Sequence, residues 1–193
     1  MEITERTYGE KDARARKMML WFGIISLLMM FAGLTSAYVV SKSRPDWLKE
    51  FDLPIAFLWS TIAIVISSIT MHLAKRAVKQ ENHNMGMQFL MTTLVLGIVF
   101  ISLQFTGFSQ IIADGYYFTG SQSTVTTSFI YAITVTHLAH VFAGIIVLVV
   151  VIYNHFKKKY KAGKTLGLEL GATFWHFLDF LWVYLILFFY FFR

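Results

Sequence analysis

Five long stretches of this chain are almost free of charge, and they constrain its fold more than any other feature. Residues 18–41 carry no charged side chain, and 53–74 carry none apart from His72. Residues 85–113 are uncharged, 115–156 hold histidines only, and 170–192 are interrupted only by His176 and Asp179. Each run reaches the roughly 20 residues that a helix rising 1.5 Å per residue needs to cross a bilayer. Composition agrees: 56% of the 193 residues are hydrophobic and 15% are charged, against about 25% charged in an ordinary soluble domain. An all-α membrane protein of five transmembrane helices is expected, with spans near 18–40, 54–75, 86–108, 126–152 and 171–192. Residues 1–16 read as a mixed-charge arm, and 17–193 as a single membrane domain. The arm's polar start does not resemble a cleaved signal, so the first span is expected to be retained.

The net charge of +6 points toward nucleic acid only until the charges are placed. With the N-terminus inside, the inner segments hold Arg6, Lys11, Arg14, Arg16, Lys17, Lys75, Arg76, Lys79, Lys157, Lys158, Lys159, Lys161 and Lys164. The outer ones hold Lys42, Arg44, Lys49 and Arg193. Thirteen against four is a strong positive-inside bias, which predicts N-in and C-out. Such a balance requires no nucleic acid. Turns are expected at Arg44-Pro45-Asp46-Trp47, at Asp114-Gly115 and at Thr119-Gly120-Ser121. Small residues within the spans (Gly23, Gly33, Ser36, Ala37, Gly97, Gly107, Ala143 and Gly144) are expected to mark close helix contacts. With no cysteine in the chain, disulfides, iron–sulfur clusters and thiolate-ligated metals are excluded.

The chemistry lies in the ionisable residues inside spans, which usually turn inward and find partners. His137 and His140 in the fourth span, and His176 and Asp179 in the fifth, are each spaced i, i+3 and share a helix face. Haem ligation by histidines of two helices is disfavoured by depth. Counted from the expected helix ends, His140 and His176 differ by roughly 10 Å along the membrane normal, and His137 lies farther still. An i, i+3 histidine pair without further ligands is also a poor copper or zinc chelate. A proton path through these groups would stop short of one surface. The expected role is a structural polar knot, histidines bonded to carboxylates, that fixes helix register.

The segment Gly167-Leu-Glu169-Leu-Gly-Ala-Thr-Phe-Trp175-His176-Phe-Leu-Asp179-Phe-Leu-Trp182 resembles, without a gap, the last-helix signature of subunit III of the haem-copper oxidases. His137-Leu-Ala-His140-Val, followed by Gly144, is similar to that family's His-x-x-His-Val helix. Lys17 through Tyr38 is similar to its first shared helix. Longer members have seven spans, as though the first two were absent here. The alignment also puts Leu27 where the family usually carries a buried glutamate, so that carboxylate's role does not transfer.

The resemblance implies a non-redox subunit of a cytochrome c oxidase that reduces oxygen and pumps protons. This chain would bind no haem or copper. Haem a and copper would reside in partner subunits, and phospholipid would lie between this chain's helices. Partners implied are oxidase subunits I and II, a small subunit IV, membrane lipids and a supercomplex with a quinol:cytochrome c reductase, in a bacterial plasma membrane. The candidate network, in contact with lipid or subunit I, is His137, His140, Glu169, Trp175, His176 and Asp179, with no catalytic or metal-ligating member. Competing readings are a quinol oxidase subunit III, an accessory protein of a nitric oxide reductase, and a small proton or solute transporter.

Overall fold

A computed structural model describes residues 2–45, 47–48, 53–120, 123–160 and 165–192, with backbone alone for 2–8. Asp46, Lys49, Ser121, Lys161, Lys164 and Arg193, named above, lie outside the described residues. The chain forms helices α1 (Glu2–Val40), α2 (Ile55–Lys79), α3 (His83–Ala113), α4 (Val125–Phe156) and α5 (Leu166–Phe192), with a short 3₁₀ turn at Ser41–Ser43. All five helices are long and apolar enough to cross a membrane. Each is built from the corresponding uncharged run, although the run at 115–156 supplies the loop before α4 as well as the helix. α1 is the longest: its 39 residues would measure about 58 Å, because the mixed-charge arm continues the helix.

Helix ends follow chain chemistry. The Thr124 hydroxyl accepts from the Thr127 amide while the Thr127 hydroxyl accepts from the Thr124 amide, a reciprocal cap that starts α4. α3 stops where Asp114-Gly115 predicts: Gly115 has φ +84°, and Tyr116 N–H reaches back to the Ile111 carbonyl at 3.1 Å. That 6→1 bond defines a Schellman stop. α2 and α4 end the same way without glycine. Glu81 (φ 60°) and Lys158 (φ 52°) occupy the left-handed region, with Asn82 bonded to Ala77 and Lys159 to Asn154. Past α4, Tyr160 folds back as a buried ring against His155. Burial raises its phenol pKa, opposed by a hydrogen bond with Asn154.

α5 packs antiparallel to α2 and α4 and parallel to α1, while α2 and α3 form the tightest pair. Glycines set three of the closest approaches. A Cβ built on Gly97 would lie 2.9 Å from the Trp175 ring, one on Gly144 2.9 Å from Leu178, and one on Gly107 would overlap the Phe57 ring. Gly23 and Gly33 differ from expectation, having nothing within 4 Å of such an atom. The cause is how α1 attaches. Its buried residues include Ile24, Phe31 and Tyr38, seven apart, with Leu27 and Leu34 also against the core. That spacing is a narrow coiled-coil-like seam, and both glycines lie off it.

Replacing Gly107 by leucine should therefore force Phe57 out of its rotamer and cost about 1–3 kcal/mol. Gly23→Leu should shift stability by less than about 0.5 kcal/mol. Thermal unfolding of the two variants in one detergent checks the contrast.

Candidate functional site

The α5 sequence places two indoles seven residues apart on its buried face. Trp175 donates from Nε1 to Ser67 Oγ at 3.0 Å. Trp182 donates from Nε1 to Thr61 Oγ1 at 3.0 Å. Both acceptors belong to α2. Beside the Trp175 rung the Ser68 hydroxyl and His176 Nδ1 are hydrogen-bonded at 2.7 Å. α2 and α5 thus run antiparallel along a ladder of hydroxyls and ring nitrogens. Both indole donors are N–H groups that would cost several kcal/mol if left bare in hydrocarbon.

Trp175 does more than donate. Its ring faces Gly97 of α3 and Gly144 of α4, so one side chain of α5 touches three helices. Trp182 does likewise lower in the same face, edge-on to Phe57 and Phe100 and 5.1 Å from the His137 ring. His137 is fully buried, and its Nε2–H donates to the Leu178 carbonyl at 3.1 Å, tying α4 to the α5 backbone. His140 is half-buried and donates from Nδ1 to the Thr136 carbonyl of its own helix at 2.7 Å. Phe31 of α1 packs edge-on against both imidazoles.

Glu169 caps the arrangement at the lysine-rich end. Its Oε1 is 3.0 Å from Lys79 Nζ of α2. Its Oε2 is 3.5 Å from Lys17 Nζ of α1. One carboxylate at the start of α5 therefore joins three helices. Asp179, 4% exposed, is different: neither oxygen has a hydrogen-bond partner of good geometry, although the Ser68 hydroxyl lies close enough to interact.

These positions correct two expectations. The polar knot was to consist of histidine–carboxylate bonds between α4 and α5. Instead the three histidines bond a serine and two backbone carbonyls, while Glu169 pairs with lysines. The six residues form no single cluster. His176, Trp175 and Asp179 address α2, His137 and His140 lie on the α1–α4 side, and Glu169 is at the end. Second, His137 reaches Leu178, two residues from His176, so the histidines are closer in level than the expected helix ends imply. α4 and α5 end at different depths, which the sequence did not reveal. Direction, not depth, separates these rings. Among the described residues, no group of three His, Asp or Glu side chains is placed to hold a metal ion. Ser67, Ser68, Thr61 and Trp182 were missed as site residues. Their signal was present: hydroxyls recurring in α2, and the second indole one heptad after Trp175.

With that geometry in hand, relatives give it meaning. Residues 11–193 match the family described as Cytochrome c oxidase subunit III. The chain belongs to the cytochrome c oxidase subunit III family. It is 30% identical to cytochrome c oxidase subunit 3 of Spodoptera frugiperda over 138 residues, 70% of this chain and 86% of that one. It is 28% identical to the Thermostichus vulcanus subunit of the same name, covering 84% of this chain and 80% of the relative. The cytochrome bo(3) ubiquinol oxidase subunit 3 of Buchnera aphidicola is 25% identical over 179 residues, 90% of this chain and 85% of the relative. This subunit III is therefore a multi-pass membrane component of a haem-copper oxidase complex.

In the subunit III bundle, the coupling between Trp175 and Ser67 should be about 0.6–1.7 kcal/mol, the range for interhelical hydrogen bonds in bilayers. A double-mutant cycle of Trp175→Phe and Ser67→Ala, read by unfolding in mixed micelles, measures it. Glu169→Gln should lower stability by under about 1 kcal/mol, because the lysines are half exposed. That loss should vanish as salt is raised, which thermal unfolding at low and high ionic strength would reveal.

Proposed function

We propose that this chain is the non-redox subunit III of a proton-pumping haem-copper cytochrome c oxidase in a bacterial plasma membrane, oriented N-in and C-out. Its role is to stabilise subunit I, to hold phospholipid and to support proton uptake. Haem a and copper reside in subunits I and II, with a small subunit IV and a quinol:cytochrome c reductase as further partners. The observation that carries the reading is the family match over residues 11–193, taken with the bonding of the buried polar groups. Trp175, Trp182, His137 and His176 each spend one ring nitrogen on a neighbouring helix. That is the chemistry of a fastener. Thirteen basic residues toward one side support the orientation.

A quinol oxidase is the second reading, favoured by the Buchnera relative, whose name specifies a ubiquinol oxidase. Purification through a tag on this chain in mild detergent, with mass spectrometry and a reduced-minus-oxidised spectrum, tests both. Subunits I and II, a haem a signal and turnover of reduced cytochrome c are expected. Turnover of quinol alone moves the assignment to the second reading. Haem b with non-haem iron signifies a nitric oxide reductase, and a lone colourless protein overturns all three. In the complex, His176→Ala should shorten the active lifetime and lower the yield of assembled subunits, with haem per catalytic subunit unchanged. Haem lost from fully assembled complex would refute the fastener role.

A further inference from the structure

Polar groups extend along α5 between the lysine-rich end and Asp179, a buried acid that no cation accompanies among the described residues. Glu169, bridged by Lys17 and Lys79, opens the file. Thr173 follows one turn later, its hydroxyl on the Glu169 carbonyl at 2.9 Å. His72 of α2, exposed on the bundle surface, has its ring 6.5 Å from that of half-buried His176, a gap that one water can bridge. Lys75, one turn nearer the end, is close enough to act electrostatically on His176. His176 Nδ1 bonds the Ser68 hydroxyl at 2.7 Å, and that hydroxyl lies beside Asp179. His137 and His140 play no part in the file, their bonds going to the Leu178 and Thr136 carbonyls. Among the described residues the α1 and α2 backbones do not approach each other, and His72 stays exposed at the bundle surface.

A fastener explains Trp175, Trp182 and the single bond of His176 to Ser68, but not the acid behind that hydroxyl. Structural ties need no acid behind the last rung. An ionisable side chain without a partner inside a span is costly, and its retention is a sign of function. The hydroxyl and the two-sided imidazole in front of Asp179 are the groups that relay protons, each able to accept on one atom and release from another.

We propose that His72, His176 and Ser68 form a proton-exchange file that connects Asp179 with the aqueous phase at the lysine-rich end. A proton delivered to His176 Nε2 lets Nδ1 pass its own proton to Ser68 Oγ. Ser68 in turn passes its original proton to a carboxylate oxygen of Asp179. The imidazole is left neutral in its other tautomer, the hydroxyl is regenerated, and the carboxylate has gained one proton. Reorientation of the hydroxyl and carboxyl resets the file. Asp179 is thus a proton-binding site, and the path stops there. The file stands whichever electron donor the oxidase uses.

The test is infrared spectroscopy of the purified complex over a pH series, with Asp179→Asn identifying the carboxyl band and transfer into D₂O timing its exchange. Exchange at that band should slow by at least about tenfold in Ser68→Ala and His176→Phe, where it must wait for local opening of the helices. Ser68→Thr, which keeps the hydroxyl, should restore it. A purely structural Ser68 would leave the exchange rate unaltered. Equal rates in wild type and both variants overturn the proposal, as does the lack of any Asp179 carboxyl band across the pH series. Haem spectra of the same samples report separately whether the chain sits in an oxidase, so failure of the file is distinguishable from failure of the assignment.

Discussion

The hydrogen bond from Trp175 to Ser67 is the interaction on which the packing of this bundle depends. In hydrocarbon, burial of apolar surface provides no drive for one helix to choose another, since lipid tails are as apolar as leucine. Selection must come from shape and from polar atoms that have to be paired. Trp175 supplies both. Its indole N–H has to find an acceptor, which fixes α2, and its ring fills the hollows left by Gly97 and Gly144, which fixes α3 and α4. Trp182 repeats the arrangement one heptad on with Thr61 and Phe100. Two such rungs set the register of α2 against α5, because a slip by one residue would strand both indoles at once.

Other helix pairs use the same device with one or two bonds each. Gln104 donates to Ser60 at 2.9 Å between α3 and α2, and the Thr70 and Thr93 hydroxyls meet at 2.8 Å. His155 donates to the His83 carbonyl at 3.0 Å between α4 and α3. Thr35 meets the Tyr184 hydroxyl at 3.4 Å between α1 and α5. Individually each is worth about 1 kcal/mol or less. Their placement matters more than their strength: they specify which of many comparably apolar arrangements is adopted.

The five helices were legible in the sequence because an uncharged run of bilayer length admits few other structures. The Asp114-Gly115 stop was legible for a local reason, a residue able to take positive φ. Glu81 and Lys158 perform the same turn without being residues that announce it, so the matching ends of α2 and α4 were not. Gly97, Gly107 and Gly144 could be recognised as contact positions, yet Gly23 and Gly33 look identical in sequence and face open space. What distinguishes them is which side of α1 meets the bundle. For the site, the residue types were visible and the pairings were not. His176 was expected to meet a carboxylate and found a serine, because partner choice depends on the offset between α2 and α5. That offset is set by the two indoles, residues whose polar atom is easily overlooked amid their hydrophobic bulk.

Leu27 shows how the polar load of the bundle is distributed. Where the resemblance to subunit III leads one to expect a buried glutamate, this chain continues the apolar seam of α1, with Leu27 against the core beside Phe31. A histidine facing that seam then has no acid to meet, and His140 turns its N–H onto its own helix at Thr136, where no partner helix is required. His137 takes a backbone carbonyl for the same reason. The consequence is that α1 is held by packing along one narrow stripe, by the weak Thr35–Tyr184 contact and by the Lys17–Glu169 pair where its apolar stretch begins. α2 and α5, by contrast, share a ladder of hydrogen bonds. Acidic chemistry is thereby displaced from the α1–α4 side of the bundle to α5, where Glu169 and Asp179 stand at the two ends of one polar file.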